Sequence, residues 1–72
     1  MKKTTWNYRV IKNKEVFNIY SVYYSGIKAH SWSKKPIYPQ GETIDELSQD
    51  MSMMMQALSS PILRIVKGKL KL

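Results

Sequence analysis

The stretch Gly41 to Pro61, GETIDELSQDMSMMMQALSSP, constrains this chain most, because it alone carries helix signals at both ends. Thr43 is a suitable N-cap, with a hydroxyl that accepts from an otherwise unpaired backbone N–H. Glu46, three residues on, completes a capping box by reaching back to the Thr43 N–H. Asp45 and Glu46 place negative charge in the first turn, where the helix dipole favours it. Ile44, Leu47, Met51, Met54, Met55 and Leu58 follow helical spacing and predict one apolar stripe. Pro61 ends the run by pushing Ser60 out of helical geometry. The expected helix is Thr43 to Ser59, with Met51, Met54 and Met55 in the core and Met53 the most exposed of the group.

The residues before the helix read as strands. Trp6 to Lys12 alternates, with Trp6, Tyr8 and Val10 opposite Asn7, Arg9 and Ile11. Val16 to Tyr24, VFNIYSVYY, is rich in aromatic and β-branched groups on both faces. Both patterns favour strands. Asn13-Lys14-Glu15 is a short polar break that closes a hairpin. Ser25-Gly26 is a turn signal, since glycine accepts positive φ at no steric cost. Ile27 to Ser33 is a third, weaker strand. Lys34 to Gly41, with Pro36 and Pro39, is an irregular connection. Beyond Pro61, Ile62 to Val66 is a candidate fourth strand, returning to the sheet or swapping onto a second protomer. Residues 1–5 and 67–72 are expected to be loose.

This order predicts an α+β fold: a three-stranded antiparallel meander, one helix packed on one face, and a short C-terminal strand as an addition. All 72 residues form a single domain. One helix covers one face, so the reverse face is expected to stand open, with Tyr20, Tyr24 and Trp32 among its aromatics. A chain of this length buries only about 60% of its unfolded surface. Association is a common remedy for so small a core, which makes a homodimer the expected state.

Composition narrows the chemistry. There is no cysteine, which removes disulfides and thiolate metal sites. No run is long and apolar enough to span a bilayer, and Met-Lys-Lys-Thr-Thr is not followed by the apolar core of a signal peptide. A cytoplasmic protein is expected. His30 is the only histidine and has no carboxylate near it in sequence. Glu46 and Asp50 lie one helical turn apart, where a solvated, dipole-favoured pair is the simpler reading than a metal site. No glycine-rich phosphate loop is present. The chain is therefore read as non-enzymatic, with no catalytic residue, no metal and no cofactor.

Net charge is +7, and four of the five acids (Glu42, Asp45, Glu46 and Asp50) lie on or just before the helix. The strands and the end of the chain are basic. Two binding readings follow. In the first, the open sheet face contacts a protein partner through Tyr8, Tyr20, Tyr24 and Trp32, since such residues supply large buried area with a polar tip. In the second, Arg9, Lys12, Lys28, Lys34, Lys35, Arg64 and Lys67 hold nucleic-acid phosphates while neighbouring aromatics stack bases.

Two resemblances accompany these readings. WNYRVI (Trp6 to Ile11), VYY (Val22 to Tyr24) and YPQGETIDEL (Tyr38 to Leu47) resemble a group of small bacterial proteins of about this length. The three-strand order followed by Gly41-Glu-Thr-Ile-Asp-Glu-Leu is similar to the HicB-type antitoxin domain. That likeness implies a partial double-stranded-RNA-binding-like fold, dimerisation and a toxin partner, so a small antitoxin-like or regulatory module is expected. Its helix start carries Leu47 where the family pattern has alanine.

Overall fold

The computed structural model describes residues 4–72. The order of elements is β1 (Thr4–Asn13), β2 (Val16–Ser25), β3 (Lys28–Trp32), α1 (Ile44–Ala57), β4 (Leu63–Val66) and β5 (Lys69–Lys71). The fold is α+β, with one helix and a mostly antiparallel sheet, but the sheet has five strands rather than three. Their order is β3-β2-β1-β4-β5. The loose start expected for residues 1–5 is corrected in part: Thr4 and Thr5 belong to β1, and residues 1–3 lie outside the described range.

β1 and β2 form a hairpin of ten residue pairs, from Thr4↔Ser25 to Asn13↔Val16. It closes through Lys14 and Glu15, both at positive φ (53° and 70°), the conformation of a tight two-residue hairpin turn. β3 pairs with β2 through a register shift near Tyr23 and Tyr24. Ile27 lies in the turn before β3, fully exposed, and not in the strand. Beyond β3 the chain stays against β2, with Ser33 N donating to Ser21 O and Ile37 N to Ile19 O.

The end of the chain departs most from expectation. Leu63 to Val66 is a strand and pairs in parallel with β1 (Ile11↔Leu63, Lys12↔Arg64). A parallel neighbour requires a crossover, and the helix supplies it. Lys67 and Gly68, both at positive φ, then turn the chain into β5, which pairs with β4 from Val66↔Lys69 to Arg64↔Lys71. The segment expected as a frayed basic tail is thus a paired edge strand.

Five strands about 4.8 Å apart would set β3 and β5 roughly 19 Å from each other in a flat sheet. Here the two edges come together. The sheet is therefore coiled into a half-barrel, as accumulated strand twist allows. Its concave face encloses Ile11 and Val22, neither with any exposure, together with Tyr20 and Leu63. Tyr24, Ala29, Trp32, Ile65 and Leu70 pack around them. This corrects the open reverse face: the sheet's own curl seals it within one chain.

The helix takes the convex face, over β1. Its N-cap is Thr43, whose Oγ1 accepts from Glu46 N at 3.1 Å. The Glu46 carboxylate reaches back to Glu42 N at 3.0 Å, one residue earlier than a capping box would have it. Gly41 lies so close to the first turn that a Cβ there would collide with Leu47 N and Glu46. The buried row shares only Leu47 and Met54 with the expected stripe. Met54 and Ala57 are buried, and Leu47 and Asp50 are half-buried. Ile44, Met51, Met55 and Leu58 are exposed. Met55, not Met53, is the most exposed of the helix methionines, at 68% against 43%.

Candidate nucleic-acid interface

The register brings cations together that lie far apart in sequence. Lys12 pairs with Arg64, and Arg64 with Lys71, so the three stand in one row across β1, β4 and β5. Directly paired residues share a face, and strand spacing sets them about 5 Å apart. Lys69 lies two residues from Lys71 on the same face of β5. Because β1 and β4 are parallel, the turns that follow them emerge at the same end of the sheet, and these carry Lys14 and Lys67. Six of the twelve basic residues thus gather at one end of three strands. The acid there is Glu15, which pairs with Lys12 at 3.7 Å. The Lys12 ammonium also lies 5.6 Å from the centre of the Phe17 ring.

The coil extends this surface. Where the edges of β3 and β5 meet, Lys28, His30, Lys69 and Lys71 border a cleft of ≈ 340 Å³. Ala29, Trp32 and Leu70 form its apolar floor. Lysines around an aromatic floor can hold phosphate oxygens while a base or sugar rests on the ring.

The remaining candidate residues are placed differently. Arg9 is half-buried and bonded within the chain: Nη1 donates to Tyr24 Oη at 3.1 Å and Nη2 to Pro61 O at 2.7 Å. Its buried Nε has no partner among the described residues. Arg9 therefore ties the helix exit to the sheet, and its guanidinium is not presented to phosphate. Tyr24 donates to Asn7 Oδ1 at 2.8 Å, and Tyr20 is buried in the concave core. Tyr20 is thus a packing residue and not a contact surface, and Tyr24 and Trp32 are half-buried against the same core. Lys34 and Lys35 are exposed in the connection after β3. Arg64 Nη2 donates to Leu72 O at 2.9 Å, which steadies the β4–β5 hairpin.

Tyr8 is also engaged. Its hydroxyl donates to Asp50 Oδ1 at 2.5 Å, and Asp50 Oδ2 accepts from Gln40 N at 3.0 Å. One carboxylate thus joins β1, α1 and the connection before the helix. Burial, followed by the bond to Asp50, pushes the Tyr8 hydroxyl up to about 12. The same bond, with that from Gln40, holds Asp50 below the usual carboxylate range.

Lys14, His30, Lys69 and Lys71 were not among the residues the sequence assigned to nucleic acid. The signal for the last two was a weak one in IVKGKLKL: Gly68 can take positive φ in a two-residue break between short alternating segments. The second large surface feature is apolar. On the outward side of the helix, Met51, Met55 and Leu58 border a shallow groove of ≈ 390 Å³ with Phe17, Ile37, Tyr38 and Pro39. No charged residue lines it. Among the described residues, no helix is long and apolar enough to cross a membrane.

No family model, curated protein or solved structure matches this chain. The functional reading therefore rests on the geometry above.

Proposed function

We propose that this chain is a small non-enzymatic binding module whose partner is nucleic acid. One observation carries the reading: Lys12, Lys14, Arg64, Lys67, Lys69 and Lys71 converge at one end of β1, β4 and β5, with Glu15 as the local acid. Closely spaced cations on a rigid sheet create a field that attracts a polyanion and releases its counterions. The β3–β5 cleft adds Lys28, His30 and the half-buried Trp32, a site for an unstacked base at the margin of the phosphate track. A cytoplasmic location accords with such a partner.

Six neutralised phosphates give a slope of log K against log salt of about −4 for a single strand and about −5 for a duplex. Affinity for duplex should then fall roughly a thousandfold between about 50 and 200 mM salt. Titration of labelled single-stranded RNA and duplex DNA across that range tests the proposal. Arg64→Gln with Lys71→Gln should lower the slope by about 2, one for each lost contact. Absence of binding at the lowest salt, or a slope unmoved by the pair, would refute it.

A second reading keeps protein recognition of the HicB-like kind. It is supported by the strand-strand-strand-helix order with its capped GETIDEL start, and by the apolar helix groove rather than the sheet. Capture of a lysate protein that survives nuclease treatment, and is lost on Met55→Lys, would favour it over nucleic acid.

A further inference from the structure

The exposed face of the helix lies outside the nucleic-acid reading, and naming the occupant of the groove beside it deepens the protein-recognition reading on which it rests. Ile44, Met51, Met55 and Leu58 form a largely exposed ridge, with Phe17 and Tyr38 exposed across the groove beside it. We propose that this patch is the interface of a symmetric homodimer, with the helix ridge of each copy seated in the groove of the other.

Three observations favour a second copy as the occupant. The first is area. These six residues are between 49% and 79% exposed. At about 200 Å² for a large side chain, they offer roughly 750 Å² per protomer. A standard interface takes about 800 Å² from each partner. The second is shape. Ridge and groove lie side by side on one patch, so a two-fold axis between them makes the surface complementary to itself. Met51 and Met55 are flexible enough to fit the resulting contact. The third is charge. Two chains of +7 repel one another over most of their surface. The groove has no charged lining, and four of the five acids lie on or beside this helix. Pairing here is the approach that like-charge repulsion opposes least.

Sedimentation equilibrium on the full chain tests this, with wild type compared against Met55→Lys and Leu58→Lys. Both side chains are 68% exposed, so the variants should keep the wild-type circular dichroism spectrum, while their thermal midpoint should fall only by what the dimer contributes. Lys67→Gln serves as the control on the basic end. The expected result is a wild-type dimer that tightens as salt screens the net charge. Each lysine variant should dissociate at least about 30-fold more readily, the loss typical of a central interface residue. The control should remain dimeric. A wild-type monomer at about 0.5 mM, where even a weak dimer is partly populated, or a dimer unaffected by both lysine variants, would overturn the proposal. In the first case the patch would belong to a different partner, and in the second the interface would lie elsewhere. The nucleic-acid salt slope is measured separately, so failure of one reading leaves the other standing.

Discussion

Replacing Ile11 by alanine should bring this domain close to unfolding, whereas the same change at Ile44 should be almost silent. Both residues are isoleucines in regular elements, and periodicity assigns Ile44 to the helix stripe. The structure separates them: Ile11 has no exposure, and Ile44 is 79% exposed. Ile11 lies where β1 pairs with both β2 and β4, packed with Tyr20, Val22 and Leu63. Truncation removes three carbons, about 2.4 kcal/mol at about 0.8 per methylene. The cavity left behind raises the loss to about 3 kcal/mol, within the usual range for such truncations. A chain of this length has a total stability of only about 4–11 kcal/mol. With a urea slope of about 1 kcal/mol/M for so small a protein, the midpoint for Ile11→Ala should drop by about 3 M. At concentrations dilute enough to keep the chain monomeric, Ile44→Ala should stay within about 0.5 kcal/mol of wild type. Equilibrium urea unfolding followed by tryptophan fluorescence gives both values. Equal shifts, or the larger shift at Ile44, would refute the claim that the concave sheet face is the core.

Arg9→Met should cost about 1.5–3 kcal/mol, the worth of hydrogen bonds from a charged donor, because it frees the Pro61 carbonyl and the Tyr24 hydroxyl together; thermal melts read this. The Tyr8–Asp50 link should give stability a dependence on pH at both extremes. The Asp50 carboxyl is lowered in the fold, so its contribution holds above its unfolded value of 3.8 and is lost as pH falls through the lower folded value. The Tyr8 hydroxyl is raised, so its contribution holds below 10.0 and is lost as pH rises towards about 12. Asp50→Asn should flatten the acid limb of a stability–pH curve, and Tyr8→Phe the alkaline one. Glu15→Gly should stabilise by about 0.5–1 kcal/mol, since a positive φ strains any residue with a Cβ. Gly41→Ala should destabilise through collision with the first helical turn, and chemical denaturation would show either effect.

The helix ends, the first hairpin and the third strand were legible because their signals are local. Thr43 and Pro61 bound the helix, Asn13 to Glu15 bounds the hairpin, and alternation marks the strands. What was not legible depends on distant pairing. The sequence ILRIV reads as a strand, but nothing local shows that it pairs in parallel with β1 through the helix crossover. Without that pairing, Lys69 and Lys71 read as a tail, and the cationic row with Lys12 and Arg64 is invisible. The coil of the sheet is a sum of small twists over five strands and leaves no mark at any one residue. The helix shows a different loss. Periodicity finds an apolar stripe but not which arc of it meets the sheet. The Tyr8–Asp50 bond and the small Ala57 turn the helix so that Leu47, Asp50, Met54 and Ala57 face inward, which leaves Met51, Met55 and Leu58 outside. Residue type alone marks the Tyr and Trp side chains as a contact surface; the curl of the sheet buries Tyr20 in the core and half-buries Tyr24 and Trp32 against it.

The closure of the half-barrel is tested most directly by NMR on the full chain. The account predicts NOEs from the Leu70 methyl groups to Ala29 or Trp32, which line one cleft from opposite edges of the sheet. A Leu70 without such contacts, in a segment 69–71 whose amides exchange at free-peptide rates, would contradict it.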